Sequence, residues 1–545
     1  MCSDRQEHRN RASTAEARST ARRLEGVELR GEQEEALRSL LERDTLVMLA
    51  PAAGKTLVYE VAGELLPGPT LVVSPTLSLQ RDQVATLRQA GLSATAVNST
   101  TSDGSRNRAF RQLRDGTLQF LLVAPEQLAK DAVLAELRPA GISLIVVDEA
   151  HCVSEWGHDF RPDYLALRGA AEELGSPRML ALTATASGPV RQEIIDGLGM
   201  REPLVVARGV DLPSLHLSVR VLHDEARKWE LLTREVVSSR GSGIVYVTTR
   251  KHAEEFARSL AGEGVEAAAY HGSMRRAERD AVQDAFTRDE VRVVVATSAF
   301  GMGIDKPDVR FVLHADAPPS VDSYYQQVSR AGRDREPARG VFFYRAEDLS
   351  LPVLFASGGR IDPDQLAEVL RLLRSEGASS RSELARRIGV SSRKLARALD
   401  ALVRVGAVTE LARNRLAASG DRRSAEELAE AAEESIQRWQ ALQRSRVDMV
   451  RRYAETGGCR RRTLLELLGD MRDEACGRCD NCDRGHPGQR PAHELHPGDR
   501  VRHPEWGDGV VQTAEGDSVV VLFEHDVYRT LSIPVVREHG LLTGR

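Results

Sequence analysis

The sequence predicts a multidomain α/β chain: two tandem parallel-sheet domains, then a winged-helix-like segment, a helical metal-binding module and a small C-terminal β-barrel. Three observations carry this. From about residue 27 to 350, short β-branched runs alternate with helical stretches, the pattern of strands covered on both faces by crossover helices. After 355 the texture turns helical, with cysteines gathered at its end. From 495 onward short alternating strands return, punctuated by glycine turns.

The bulk figures fit several globular domains. The chain has 545 residues, of which 41% are hydrophobic and 28% charged. Net charge is −5, so any nucleic-acid binding must rest on local patches. Of 75 basic residues only six are lysine, a bias expected of GC-rich coding. No apolar run approaches the length of a membrane span, and residues 1–25 lack the apolar core of a signal peptide. That Arg/Ser/Glu-rich segment is expected to be a disordered tail. Four of the six cysteines fall together, which suggests a metal site in a reducing compartment rather than a disulfide framework.

Taken in order, residues 26–208 form the first parallel-sheet domain. Its strands are read from "TLVMLA", "TLVVS" (70–74), "FLLVA" (120–124), "LIVVD" (144–148) and "MLALTA" (179–184). Residues 209–350 form the second, read from "GIVYVT" (243–248), "VRVVVAT" (291–297) and "VRFVLHA" (309–315). Tandem sheets leave a cleft at strand C-terminal ends, where ligands commonly bind. Residues 355–418 contain three helical patterns followed by a hairpin, the order of a winged helix. Residues 422–486 combine a long charged helix with the cysteine cluster, 484–494 read as a linker, and 495–541 as the barrel.

The chemistry begins at Leu49-Ala50-Pro51-Ala52-Ala53-Gly54-Lys55-Thr56. This is a strand–loop–helix passage ending in Gly-Lys-Thr, in which backbone N–H groups cradle phosphates, Lys55 reaches the β/γ oxygens and Thr56 ligates Mg²⁺. Leu49 stands where the full pattern wants glycine, and alanines replace further glycines. Val146-Val147-Asp148-Glu149-Ala150-His151 then sets two carboxylates at the end of a hydrophobic strand. Asp148 suits Mg²⁺, and Glu149 suits the orientation and activation of an attacking water. An isolated acid pair would be no more than a capped strand; the upstream phosphate loop gives it meaning.

With these motifs in place, residues 27–345 resemble the motor of RecQ-family DNA helicases, within helicase superfamily 2. The order matches: Gln33, the phosphate loop, "SPTLSLQRDQV" (74–84), "APEQL" (124–128), "DEAHCVSEWGHDFRPDY" (148–164), "LTATA" (182–186), "AAYHG" (268–272), "VATSAFGMGIDKPDVRFVLH" (295–314) and "SYYQQVSRAGRD" (323–334). The resemblance implies two RecA-like domains binding ATP with Mg²⁺. It further implies that Gln33 reads the adenine edge and that Arg330 and Arg333 neutralise γ-phosphate charge. Gly303 and Asp305 would line the same cleft, while Trp156, Phe160 and Arg161 would touch single-stranded DNA. In place of the family's usual residues, Pro51-Ala52 stands in the phosphate loop and Ser329 precedes Arg330; neither removes a ligand or a charge.

Cys459 followed by Cys476-x-x-Cys479-x-x-Cys482 can supply four thiolates to a tetrahedral Zn²⁺ with no open position, hence a structural site. The segment also resembles the RecQ zinc module. Residues 444–462 hold seven arginines against two acids, a candidate surface for DNA phosphates. The winged-helix-like segment precedes the zinc module, whereas typical RecQ proteins have the reverse order. Its candidate recognition helix offers Arg393, Lys394 and Arg397 to DNA. The tail resembles the Tudor/SH3-like barrel of UvrD/PcrA-type helicases, which implies RNA polymerase or another protein as partner.

The expected function is ATP-dependent 3′→5′ translocation on single-stranded DNA with unwinding of duplex DNA, in repair and recombination. The expected setting is the cytoplasm, at a bacterial nucleoid, and a monomer is the family default. Two alternatives stand beside it. One is a double-stranded-DNA translocase or remodeller linked to transcription, favoured by the tail. The other is a non-hydrolysing DNA-binding scaffold, motivated by Pro51-Ala52-Ala53.

Overall fold

The computed structural model describes residues 2–544 except 51–53, 155–161, 185–187, 208–210, 302–305, 350–362, 390–391, 412–414, 471–473, 486–494, 496–498, 516–517, 524–526 and 540. It divides into two compact units. The first comprises 1–348, 449–494 and 512–516, and the second the remainder.

In the first unit a seven-stranded sheet is built from β1 (Thr45–Met48), β2 (Thr70–Val73), β3 (Ala94–Val97), β4 (Phe120–Val123), β5 (Leu144–Val147), β6 (Arg178–Thr183) and β7 (Leu204–Ala207). Its order is β3-β4-β2-β5-β6-β1-β7 and every pairing is parallel. β1, β2, β4 and β5 are buried along their whole length, which is why they read as uninterrupted apolar runs. A second sheet contains β8 (Leu215–Val221), β9 (Ser242–Tyr246), β10 (Ala267–Tyr270), β11 (Val293–Ala296), β12 (Val309–His314) and β13 (Ala338–Tyr344), in the order β10-β11-β9-β12-β13-β8. All its pairings are also parallel. The sequence reading missed the edge strands β3, β7, β8 and β10. These are half-exposed, so their apolar signal is diluted, and β10 reads Ala-Ala-Ala-Tyr, with no β-branched residue. It also missed β13, although that strand is buried.

The expected disordered tail at residues 1–25 needs correction. Residues Cys2–Glu25 form a helix, α1, and Ala17, Ala21 and Leu24 lie in the first domain's core. They pack there with α2 (Gly31–Leu40) and α3 (Lys55–Leu65). Arg18 holds Glu34 on α2 through two hydrogen bonds, and Arg23 holds Glu64 on α3. The small apolar residues at helical spacing are easily overlooked among arginines and glutamates, yet they suffice to seat the helix.

The second unit contains helices Pro363–Glu376, Arg381–Ile388 and Ser392–Arg404, followed by the antiparallel strand pair Val408–Leu411 and Arg415–Ala418. This is the helix–helix–helix–hairpin order of a winged helix. Leu366, Leu370, Leu384, Leu399 and Leu416 are among its core residues. The C-terminal segment forms a five-stranded sheet with antiparallel pairing of Arg500–His503 to Gly507–Glu515 and of Ser518–Phe523 to Val527–Ser532. Val501, Val519, Val521 and Phe523 are buried in it. Among the described residues, no helix is long and apolar enough to cross a membrane.

Candidate active site and metal centre

Gly54 ends the phosphate loop and caps α3 with φ +78°, in the left-handed region that L side chains avoid. A Cβ at this position would stand 2.6 Å from Gln33 Nε2. Gln33, 2% exposed, comes from α2, donates from Nε2 to the Gly54 carbonyl at 3.1 Å, and accepts the Arg30 N–H at 2.9 Å. Lys55 and Thr56 therefore open a helix whose first turn is locked to Gln33. Pro51, Ala52 and Ala53 lie outside the described residues.

Asp148 and Glu149 follow the C-terminal end of β5. The Asp148 carboxylate is 7% exposed; its Oδ2 accepts from Gln83 Nε2 at 2.7 Å and its Oδ1 from the Glu149 N–H at 2.9 Å. Burial, then the neighbouring Glu149 charge, pushes Asp148 up to about 6, against the pull of Lys55. Lys55 and Asp148 thus act on one another electrostatically. Glu149 has φ 49°, a conformation that costs a non-glycine residue about 1–2 kcal/mol. Its Oε2 lies 3.3 Å from His151 Nδ1, which also meets Thr183 Oγ1 at 3.2 Å. The acids are thereby tied to the Leu-Thr-Ala stretch at the end of β6. Tyr164 donates to the Asp148 carbonyl at 3.2 Å.

On the second sheet, helix Val321–Val328 leads directly to Arg330. Arg330 is 5% exposed and lies near the hydroxyl of Tyr246, which donates to the Phe300 carbonyl at 2.9 Å. Burial raises Tyr246, while the positive charges of Arg330 and Arg333 pull it down, so both guanidinium groups act on one spot. A cavity of about 600 Å³ opens beside them, lined by Thr248, Arg250, His271, Thr297, Gln326 and Arg330 among others.

The four cysteine sulfurs, Cys459, Cys476, Cys479 and Cys482, all lie within 4.8 Å of one another, and Cys476 Sγ is 3.9 Å from Cys482 Sγ. A zinc–sulfur bond of about 2.3 Å at tetrahedral angles requires sulfurs about 3.8 Å apart. The donor set therefore fits Zn²⁺. Cys459 Sγ also accepts the N–H groups of Cys476 at 3.3 Å and Arg462 at 3.5 Å, and such bonds favour a thiolate. The module is joined to β8 by a parallel bridge between Leu217 and Cys479, and Asp480 accepts the Val219 N–H at 3.1 Å.

The arginine patch at 444–462 needs correction in part. Arg460, Arg461 and Arg462 are buried. Arg460 binds Asp480 and the carbonyls of Tyr453 and Ala454, while Arg461 binds the Leu215 carbonyl and pairs with Asp211. These side chains fasten the zinc module internally and to the second sheet, so they are not a surface for phosphates. Gly303, Asp305, Trp156, Phe160 and Arg161 lie outside the described residues. Arg393, Lys394 and Arg397 fall on helix Ser392–Arg404, but their side chains are likewise outside the description. Gln83, Thr183 and Tyr164 sit in quoted motifs without having been assigned a contact. Their spacing gave no sign that their side chains converge on the acids.

Comparison with known proteins agrees with this geometry. The model of DEAD/DEAH box helicases matches residues 30–194, that of the helicase conserved C-terminal domain 227–335, and that of RecQ zinc binding 419–483. The chain is 37% identical over 344 residues to the probable ATP-dependent DNA helicase RecS of Bacillus subtilis, covering 63% of this chain and 69% of that one. This chain belongs to the RecQ family of superfamily 2 helicases. Another RecQ-family relative, ATP-dependent DNA helicase RecQ of Pasteurella multocida, is 38% identical over 360 residues, covering 66% of this chain and 56% of the relative. The chain thus spans little more than half the length of that RecQ protein. A solved structure of the DUF1998 helicase MrfA bound to DNA shares the fold with a TM-score of 0.51 at 17% identity, covering 76% of this chain and 63% of that one. Residues 495–535 match a family of unknown function, DUF3553, so this RecQ-family chain carries a terminal domain whose role its family model does not give.

Proposed function

We propose that this RecQ-family chain is an ATP-dependent DNA helicase that moves 3′→5′ on single-stranded DNA and unwinds duplexes in DNA repair and recombination. The observation that carries the reading is the pairing of Asp148 and Glu149 under the charge of Lys55, at a helix start whose capping Gly54 is held by Gln33. Gln33 would face the adenine edge, and Lys55 would hold the β/γ oxygens. Mg²⁺, held by Thr56 and Asp148, would neutralise developing phosphate charge. Glu149 would orient water in line with the γ-phosphorus and take its proton, with Arg330 and Arg333 meeting the charge from the second domain. Gly303 and Asp305 are proposed cleft residues, and Trp156, Phe160, Arg161, Arg393, Lys394 and Arg397 proposed DNA contacts. Work on DNA in a bacterial cytoplasm, as a monomer, completes this reading.

The test is ATP hydrolysis with and without single-stranded DNA, in the wild type, Lys55→Ala and Glu149→Gln. Stimulation by DNA should disappear in both variants, and a duplex with a 3′ tail should open faster than one with a 5′ tail. A wild type with no turnover above Lys55→Ala would sink the motor reading and leave a DNA-binding scaffold. A second reading, translocation on duplex DNA linked to transcription, is favoured by the terminal domain. It predicts DNA-stimulated turnover with poor strand separation, and retention of RNA polymerase only when 495–541 is present.

A further inference from the structure

The zinc module meets the second sheet domain through a pair of buried tyrosines. Tyr324 lies on helix Val321–Val328 and Tyr453 near the end of helix Ala425–Glu455; each is 1% exposed. Their ring centroids are 4.7 Å apart at a 46° tilt, and their hydroxyls are 2.9 Å apart. Burial raises both phenols, so both stay protonated and able to share this bond.

Behind Tyr453 the chain of contacts reaches the metal ligands. The Tyr453 carbonyl accepts from Arg460 Nη1 at 2.9 Å, Arg460 Nε donates to Asp480 Oδ1 at 3.0 Å, and Asp480 directly follows Cys479. A second bond, from the Tyr344 hydroxyl to Glu455 Oε1 at 2.5 Å, pins the same helix end to β13. In front of Tyr324 the contacts lead to the arginine. The ring of His314 lies 4.8 Å from that of Tyr324, His314 Nε2 stands 2.7 Å from Gln327 Oε1, and the Gln327 carbonyl accepts the Arg330 N–H at 3.3 Å.

A helix of eight residues has little stability of its own and takes its position from packing. An error of about 1 Å in a charge-stabilising group can cost a large share of its effect. We propose that the zinc module braces helix Val321–Val328, which leads to Arg330, through Tyr453, making Tyr453 and Tyr324 positioning residues for Arg330. The inference rests on the motor reading above and adds to it a role for the metal module in hydrolysis.

The test compares full-length wild type, Tyr453→Phe and Tyr453→Ala by hydrogen–deuterium exchange, zinc content and steady-state hydrolysis. Zinc content should be unchanged and exchange over residues 321–328 faster in both variants, with β1 and β5 unaffected. In Tyr453→Phe, kcat should fall about fivefold while KM for ATP stays within about twofold, since one stranded hydroxyl and one lost hydrogen bond are at issue. Affinity for ADP–beryllium fluoride should weaken and affinity for ADP should hold. The double variant Tyr324→Phe/Tyr453→Phe leaves no hydroxyl stranded and should recover part of the loss. Unchanged exchange over 321–328 in Tyr453→Ala overturns the brace. Loosened exchange with undiminished kcat in Tyr453→Phe overturns the positioning role. If the wild type hydrolyses no ATP, the motor reading fails by itself, and exchange with ADP–beryllium fluoride affinity still decides the brace.

Discussion

Gly54 is held by two constraints, a backbone at φ +78° and a Gln33 amide lying where a Cβ would go. Gly54→Ala should therefore incur strain of about 1–2 kcal/mol and displace Gln33 as well, weakening ATP binding by tenfold or so, as read by nucleotide titration. Asp148 supplies a pH signature. Its carboxyl is raised from 3.8 to about 6, so the stability it contributes is fully present below its unfolded value and lost as pH rises through 6. The ionised form is the one a cation needs. Apparent affinity for Mg·ATP should thus fall about tenfold for each pH unit below 6, and Asp148→Asn should bind weakly with no such slope. A fluorescent-nucleotide titration across this range checks both. The carboxylates and the lysine were legible from motif order. The Gln83 and His151–Thr183 contacts were not, because a side chain's partner on another strand depends on sheet order.

At the scale of elements, the zinc module is fastened to an edge strand. The Cys479–Leu217 bridge and the Asp480–Val219 bond extend the β8 edge with residues set by the metal ligands. Removing zinc with a chelator, or substituting Cys479→Ser, should lower Tm by about 5–10 °C as that edge is released, measured by calorimetry with zinc content in parallel. Cysteine spacing alone announced the tetrahedron. The burial of Arg460, Arg461 and Arg462 was not announced, since a run of arginines reads as a solvated or phosphate-binding face until the acid and carbonyls opposite it are known. The α1 helix is a similar case. Three small apolar residues among charges look insufficient until α2 and α3 are seen to complete the groove around them.

For the whole molecule, the motor domains and the cysteine-bearing part of the zinc module, from residue 449, belong to one compact unit, and the winged-helix segment, residues 422–448 and most of the terminal sheet to another. The terminal sheet has its own buried residues, Val501, Val519, Val521 and Phe523. Deleting 495–545 is therefore expected to leave zinc content unchanged and DNA-stimulated hydrolysis within about twofold of the full chain, because no residue proposed for hydrolysis lies in it. A larger loss in a steady-state assay would tie the terminal domain to the motor cycle.

The sequence by itself determined the two parallel sheets, the phosphate loop with its acid pair, and the four-thiolate set. Each is encoded locally, by an unbroken apolar run, a strand–loop–helix passage or a cysteine spacing. Only the tertiary structure decided that residues 2–25 are helical with Ala17, Ala21 and Leu24 packed into the core, that three arginines face inward, and that Tyr453 meets Tyr324. Those outcomes depend on which surfaces become neighbours, and residues 129 positions apart carry no sign of their meeting until burial removes water from between them.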